Sequence, residues 1–152
     1  MFELREWAVG FIGGALASFA RLALEELAFL GNLSSLSRIG VFTDTMQRLF
    51  GATVLTGPTG WMWSIVVHSL LFGVVGIIFA VLVERKVIWM GLGLGLALWL
   101  LMNIILPPLG VFPAAWNVGA GTVGFTLASD LLYGLILAAI ILLYRRESVT
   151  TH

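Results

Sequence analysis

Residues 61–83 read WMWSIVVHSLLFGVVGIIFAVLV, and this stretch decides the fold class because it contains no Asp, Glu, Lys or Arg. A helix needs about 20 apolar residues to cross the hydrocarbon core of a bilayer. Residues 7–30, 87–106 and 122–144 form three further stretches that are long and apolar enough. The sequence therefore predicts an all-α polytopic membrane protein, a four-helix transmembrane bundle that forms one domain over residues 1–152.

The composition supports this class and excludes others. Hydrophobic residues make up 60% of the chain and charged residues 11%, with a mean hydropathy of +1.06. Soluble domains carry about 25% charged residues. The net charge is zero and no basic run is present, so we expect no nucleic acid as partner. The absence of cysteine removes disulfides, thiolate catalysis and cysteine-based metal sites.

Lys and Arg residues divide unevenly between the two predicted faces of the bundle. The termini and the turn after residue 83 carry Arg5, Arg85, Lys86, Arg145 and Arg146, whereas the first loop carries Arg38 and Arg48. Cytoplasmic loops of membrane proteins carry the excess of positive charge. The pattern predicts that both termini face the cytoplasm.

The first outer loop, residues 31–60, is long enough to contain a helix of its own. Its apolar residues recur on one helical face, at Ile39, Phe42, Met46, Leu49 and Phe50. A capping box formed by Asp44 and Gln47 would start a short amphipathic helix at that point. We expect this helix to be either a packing lid over the bundle or a gate above a cavity.

Small residues spaced four apart predict the faces through which the helices pack. Close van der Waals contact replaces the hydrophobic effect as the cause of helix association in lipid. The predicted helix-packing positions are Gly10, Gly14, Ser18, Gly91, Gly95 and Gly134. The same faces could serve contacts within a homo-oligomer.

Five polar residues within the predicted spans are expected to form one buried network: Arg21, Glu25, His68, Asn103 and Asp130. Counted from the outer ends of the helices at 1.5 Å per residue, most of them fall in one layer about 8 Å thick. We expect His68 to contact the carboxylate of Asp130 or Glu25, because a carboxylate stabilises a protonated imidazole. Glu26 is expected at the outer rim.

The network has a structural and several functional interpretations. Buried polar pairs can set helix register, but ionisable residues within a membrane also mark proton paths and ligand sites. A proton relay would use His68, Asp130 and Arg21, and a lipid headgroup or small anionic ligand would bind Arg21. A hydrolase would need Ser64 or Ser69 beside His68, yet neither serine lies in a nucleophile-elbow motif. We predict no catalytic residue, no metal ligand and no cofactor.

Two segments also carry a family resemblance. GWMWSIVVHSLLFGVVGIIFAVLVE at residues 60–84 and GLGLGLALWLLMNIILPPLGVFP at residues 91–113 resemble the YagU-like family of small prokaryotic inner-membrane proteins. The matching positions are His68, Phe72, Gly73, Glu84, Pro107 and Gly110. The likeness covers roughly residues 60–134. The family favours further histidines where this chain has Asn103 and Asp130. The resemblance implies a four-helix protein of the prokaryotic inner membrane with a polar interior.

The sequence thus favours a non-enzymatic role. We expect an accessory or assembly protein, or a homo-oligomer, that is embedded in the lipid bilayer. A larger membrane complex is a further possible partner. The alternative is a proton-coupled transporter or channel that uses the intramembrane Arg, Glu, His and Asp residues.

Overall fold

The computed structural model describes residues 4–50, 57–83, 86–110, 113 and 115–150. Its five α-helices are α1 Leu4–Leu30, α2 Arg38–Phe50, α3 Gly57–Leu82, α4 Val87–Leu100 and α5 Ala120–Thr150. Helix α4 continues through a π-helical turn, Leu101–Ile105, and 3-10 turns follow at Pro107–Leu109 and Ala115–Asn117. No strand occurs in these described ranges, and the all-α prediction is confirmed for them.

Four helical segments are long and apolar enough to cross a membrane: Arg5–Leu30, Gly57–Leu82, Val87–Leu109 and Ala120–Arg146. Each overlaps one of the four predicted stretches. The second begins four residues earlier than predicted, at Gly57, and includes Pro58 in its first turn. Proline is tolerated there because the amide it lacks would have no partner within the helix.

The main contacts between these helices run in the order α3, α1, α5, α4. Helix α1 packs against α3 on one side and α5 on the other, and α4 packs against α5. Helices α3 and α4 follow one another in the chain, yet their described residues have almost no direct contact. A gap is therefore left between them.

Glycines allow the backbones of α1 and α3 to touch. A methyl group at Gly76 would overlap the carbonyl oxygen of Gly10 and the Cα of Gly14. Gly91 and Gly95 of α4 meet α5 in the same way, at the carbonyl oxygens of Gly134 and Asp130. The predicted small residues thus lie at helix contacts, with Gly76 as a partner that the sequence analysis did not single out. Ser18 is also buried, and its hydroxyl has a polar role described below.

Helix α2 starts earlier than the capping box predicted, and the reason lies in Ser37. The backbone amide of Gly40 donates to Ser37 Oγ at 3.0 Å, as in an N-cap. The Ser37 hydroxyl and the amide of Ile39 both donate to the carboxylate of Glu26, at 2.9 Å. The prediction of a start at Asp44 was therefore wrong, and Asp44 is an exposed residue within the helix.

The apolar face of α2 points inward where the structure describes it. Ile39 and Phe42 are buried, and Met46 is half-buried. The side chains of Leu49 and Phe50, which were predicted for the same face, lie outside the described residues. A hydrogen bond of 2.6 Å between Thr43 and Ser64 joins α2 to α3.

Candidate functional site

A buried ion pair between α1 and α5 is the centre of the polar interior. Arg21 Nη2 lies 2.7 Å from Asp130 Oδ1, and both side chains are fully buried. Arg21 Nε also lies 3.4 Å from Glu25 Oε1, one turn further along α1. Arg21 is on the same face of α1 as Gly14 and Ser18, so the close helix contacts that bury the glycines also bury this charge. A buried charge needs such partners because its desolvation is costly.

Glu25 joins three helices. Arg38 of α2 donates from Nε to Glu25 Oε2 at 2.5 Å, and the hydroxyl of Ser129 on α5 donates to Glu25 Oε1. With Arg21 on its own helix, Glu25 is thus surrounded by α1, α2 and α5. The sequence analysis counted Arg38 only as a loop charge. The available signal was Ser37, since a serine before an apolar helical pattern is typical of a helix start and would have placed Arg38 in the first turn.

The surroundings of Arg38 are negative overall. Burial alone would lower the pKa of its guanidinium, but the carboxylates of Glu25, Asp130 and Glu26 outweigh this and raise the pKa above its ordinary value. Arg38 therefore stays charged although it is only 4% exposed.

His68 lies near this cluster, but its polar partner is not the predicted one. Its Nδ1 is 2.9 Å from Ser18 Oγ, and the described contacts of the ring include neither Asp130 nor Glu25. The imidazole stacks on Phe72 at 4.5 Å between ring centroids, and the Arg21 guanidinium lies 4.7 Å from the centre of the same Phe72 ring. The carboxylates are already engaged by Arg21 and Arg38, which explains why the histidine pairs with a hydroxyl instead.

Asn103 does not join the charged cluster in the described contacts. Its side-chain amide donates to the carbonyl oxygen of Trp99 at 3.0 Å, within its own helix. Asn103 lies in the π-helical turn and is 1% exposed. A short polar side chain can satisfy itself on the carbonyl four residues earlier, so burial alone did not require a partner on another helix.

The residues for hydrolytic catalysis are not assembled. The Ser64 hydroxyl pairs with Thr43, His68 pairs with Ser18, and Asp130 pairs with Arg21. A serine nucleophile requires a base within hydrogen-bond reach and a third group that orients the base. Ser18 is within reach of His68, but the described contacts of the imidazole include no carboxylate that would orient it. The described part of the chain also contains no group of three or more His, Asp or Glu side chains that could hold a metal ion.

A cavity of about 460 Å³ lies between α2, α3 and α4 and reaches the charged cluster. This volume is within the range of small-molecule sites, about 300–1,000 Å³. Arg21, Arg38 and His68 line it together with apolar side chains from all three helices. The apolar wall includes Phe42, Met46, Leu71, Phe72, Val74, Val75, Leu98, Leu101 and Met102.

The cavity opens sideways through the gap between α3 and α4. Leu71 and Val74 line the cavity on α3, and they are also 52% and 48% exposed on the outer surface. Leu101, the first residue of the π-helical turn that continues α4, has the same double position, at 37% exposure. Helix α2 covers one side of the cavity with Phe42 and Met46.

Both arginines in the cavity wall have unused hydrogen-bond donors. Arg21 Nη1 and Arg38 Nη2 are buried, and neither has a hydrogen-bond partner among the described residues. The same holds for Nε and Nη2 of Arg21 and for both carboxylate oxygens of Asp130, which belong to the ion pairs described above. A buried donor without an acceptor costs its full desolvation penalty, about 1–3 kcal/mol and more for a charged group. Two such atoms on residues that line one cavity indicate a place for an acceptor group of a ligand.

Comparisons with protein families, with curated proteins and with solved structures give no match for this chain. The resemblance to the YagU-like family therefore stays a prediction, and the function has to be argued from the geometry of the cavity and the charged cluster.

Proposed function

We propose that this chain is a polytopic membrane protein that binds one amphiphilic molecule without transforming it. The headgroup of that molecule would meet Arg21 and Arg38, and its apolar tail would lie in the gap between α3 and α4. The single observation that carries the proposal is the cavity itself, whose apolar walls end at two buried arginines with unused donors.

The apolar exterior supports insertion into a bilayer as a four-helix bundle. Large hydrophobic side chains on the outer surface of every long helix are exposed, such as Phe19, Leu71, Trp89 and Leu143. In a bilayer the gap between α3 and α4 would face acyl chains, so an amphiphile could enter from the membrane without passing through water. The uneven Lys and Arg distribution favours cytoplasmic termini, and the family resemblance favours a prokaryotic inner membrane.

Amphiphile binding would be the specific activity behind the accessory role predicted from the sequence. Ser18 and His68 form a hydrogen bond near the cavity, but among the described residues no carboxylate contacts the imidazole and no group of side chains could hold a metal ion. Such a site would suit a protein that stores, presents or responds to a lipid-like molecule. The lipid-headgroup partner predicted at Arg21 is retained in this proposal, with Arg38 added. Homo-oligomer formation and membership of a larger membrane complex stay predictions.

The test is native mass spectrometry of the full chain released in a mild detergent from its own membrane. We expect an adduct with the mass of a single amphiphile. Leu71→Trp should remove the adduct by filling the cavity mouth, because it adds volume without changing charge. Leu70→Trp is the matched control, since Leu70 is equally exposed on α3 but does not line this cavity. The proposal would be contradicted if the wild-type chain carried no adduct, or if both variants kept the adduct.

One observation favours the alternative of a proton-coupled transporter or channel. Ionisable side chains form a continuous chain from Arg38 through Glu25 and Arg21 to Asp130. Such chains carry protons in membrane transporters. Proton flux into liposomes that contain the purified chain, abolished by Asp130→Asn, would support this alternative. Equal flux with the variant would count against it.

A further inference from the structure

The charges around the cavity decide which kind of headgroup fits. Arg21 and Arg38 are the two cations, and they are already paired with Asp130 and Glu25. A third carboxylate, Glu26, lies beside them, where it accepts from Ser37 and the amide of Ile39. Two cations therefore stand against three carboxylates. Even a protonated His68 would bring the cluster only to neutrality.

An anionic headgroup would worsen this balance. A phosphate or carboxylate would add a further negative charge to a buried cluster that has no positive charge to spare, and uncompensated buried charge is costly. The raised pKa of Arg38 agrees, because it shows that carboxylates dominate the field at this guanidinium. The cluster does not lack negative charge, since both carboxylate oxygens of Asp130 are themselves buried without a hydrogen bond among the described residues.

The unused donors of the two arginines indicate which chemical group a ligand would have to supply. Arg21 Nη1 and Arg38 Nη2 each need an acceptor lone pair, and a guanidinium can donate but never accept. An uncharged carbonyl or ester oxygen supplies that lone pair and leaves the charge balance unchanged. His68 and Thr45, whose hydroxyl donates to the carbonyl oxygen of Val41, are the other polar residues of the lining. The rest of the wall, from Phe42 and Met46 to Leu98 and Met102, offers apolar surface to the tail of the molecule.

We infer, resting on the proposed binding function, that the ligand is an uncharged amphiphile whose carbonyl oxygen accepts from Arg21 and Arg38. Anionic lipids and fatty-acid carboxylates are disfavoured at this site. The required chemistry has two sources in a membrane, the ester of a neutral glycerolipid and the carbonyl of an isoprenoid quinone.

The experiment compares two probes with one tail. Monoolein and oleoyl lysophosphatidic acid share the oleoyl ester and the glycerol, and they differ by the phosphate. Binding of each to the full wild-type chain in detergent is measured by titration in native mass spectrometry. We expect monoolein to bind at least about tenfold more tightly, the scale of one charge-assisted hydrogen bond or one unfavourable charge contact.

Variants assign the binding to the cavity. Leu71→Trp should abolish binding of monoolein, and Leu70→Trp should not. Arg38→Gln should lower the affinity for monoolein by about tenfold, because a charged hydrogen-bond donor is lost. Arg48→Gln is its matched control, because Arg48 is exposed on the same helix. The probe preference of the wild-type chain keeps the inference testable even where Arg38→Gln fails to fold.

The outcomes separate the inference from the proposed function. If the phosphate probe binds more tightly than monoolein and Leu71→Trp blocks its binding, the inference of an uncharged ligand is wrong. The proposed binding function would still hold in that case. Binding of either probe that Leu71→Trp does not affect would overturn both. Decylubiquinone in competition with monoolein identifies the source: displacement supports a quinone carbonyl, and failure to displace supports a glycerol ester.

Discussion

The two sides of α3 differ in how they meet their neighbours. Toward α1, Gly76 brings the two backbones into contact at Gly10 and Gly14, and Gly73 leaves room for the ring of Phe11. Toward α4, the described residues scarcely touch, and a cavity of about 460 Å³ takes up the space. One helix thus has a closed side built from glycine and an open side lined by Leu71, Val74 and Val75. Two helix backbones approach closely where both partners have small residues, and among the described residues of α3 these face a partner helix on the closed side.

The charged cluster lies where the two sides meet. Arg21 and Glu25 continue the glycine face of α1, while Arg21 and Arg38 line the cavity on the open side. The cluster therefore serves two purposes, as a cross-link of α1, α2 and α5 and as the polar end of the cavity. Changes to the closed side, the cluster and the cover of the open side should have different consequences.

The largest effect is expected at Arg21. Arg21→Met leaves Asp130 buried without its cation and removes one of the partners of Glu25, which should cost about 3–5 kcal/mol of the free energy of unfolding. Denaturant unfolding in detergent, followed by tryptophan fluorescence, measures the loss. Arg48→Met on the exposed surface of α2 is the control and should leave stability unchanged. A loss below about 1 kcal/mol at Arg21 would show that the ion pair is not needed for the contact between α1 and α5.

A smaller loss is expected on the closed side. Gly76→Ala should cost about 1–3 kcal/mol, because the added methyl group overlaps the backbone of α1 at Gly10 and Gly14. Gly93→Ala on α4 is the matched control, since a methyl group there would have no atom of a described neighbouring element within 4 Å. Alanine should stabilise α4 at that position by up to about 1 kcal/mol through helix propensity. Equal effects at the two glycines would mean that α1 and α3 do not meet as closely as the structure has them.

The smallest effect is expected in α2, the helix that covers the cavity on the open side of α3. Ser37→Ala should destabilise α2 locally by about 1 kcal/mol, through loss of the N-cap and of the bond to Glu26. Amide hydrogen exchange in α2 measures this change, and exchange in α1 and α3 should be unaffected. Asp44→Ala serves as the comparison, because Asp44 was predicted to begin the helix and lies within it. Faster exchange in the Asp44 variant than in the Ser37 variant would restore the start at Asp44.

The long helices were predictable, and the relations between side chains on different helices were less so. Apolar length predicted four segments that agree with the helices within a few residues, since backbone hydrogen bonding within an apolar run leaves few alternatives to a helix. Arg21 and Glu25 could be placed on one face because helical periodicity relates residues of the same helix. Periodicity does not say which residue of another helix lies opposite. His68 was therefore assigned a carboxylate and has Ser18, and Asn103 was assigned to the cluster and bonds to Trp99.

Arg38 illustrates the same limit for loops. Its position between two predicted spans suggested only a charge on the outer surface, whereas α2 folds back and brings it to Glu25. The driving contacts are the buried Ile39 and Phe42 and the cap at Ser37, which together orient the helix over the cavity. A helix of this length is marginal by itself, so its position depends on the surface against which it packs.

The sequence by itself determined the helical class, the four apolar helices and the small residues at which they could approach, because these properties depend on local composition and on the period of a single helix. Only the tertiary structure decided that α3 closes against α1 and stays apart from α4, and that Arg38 joins Arg21 at the end of the resulting cavity. Those outcomes depend on the fit of surfaces that are distant in sequence. The energy of each contact depends on which side chains of the neighbouring helix lie at the same height along the bundle.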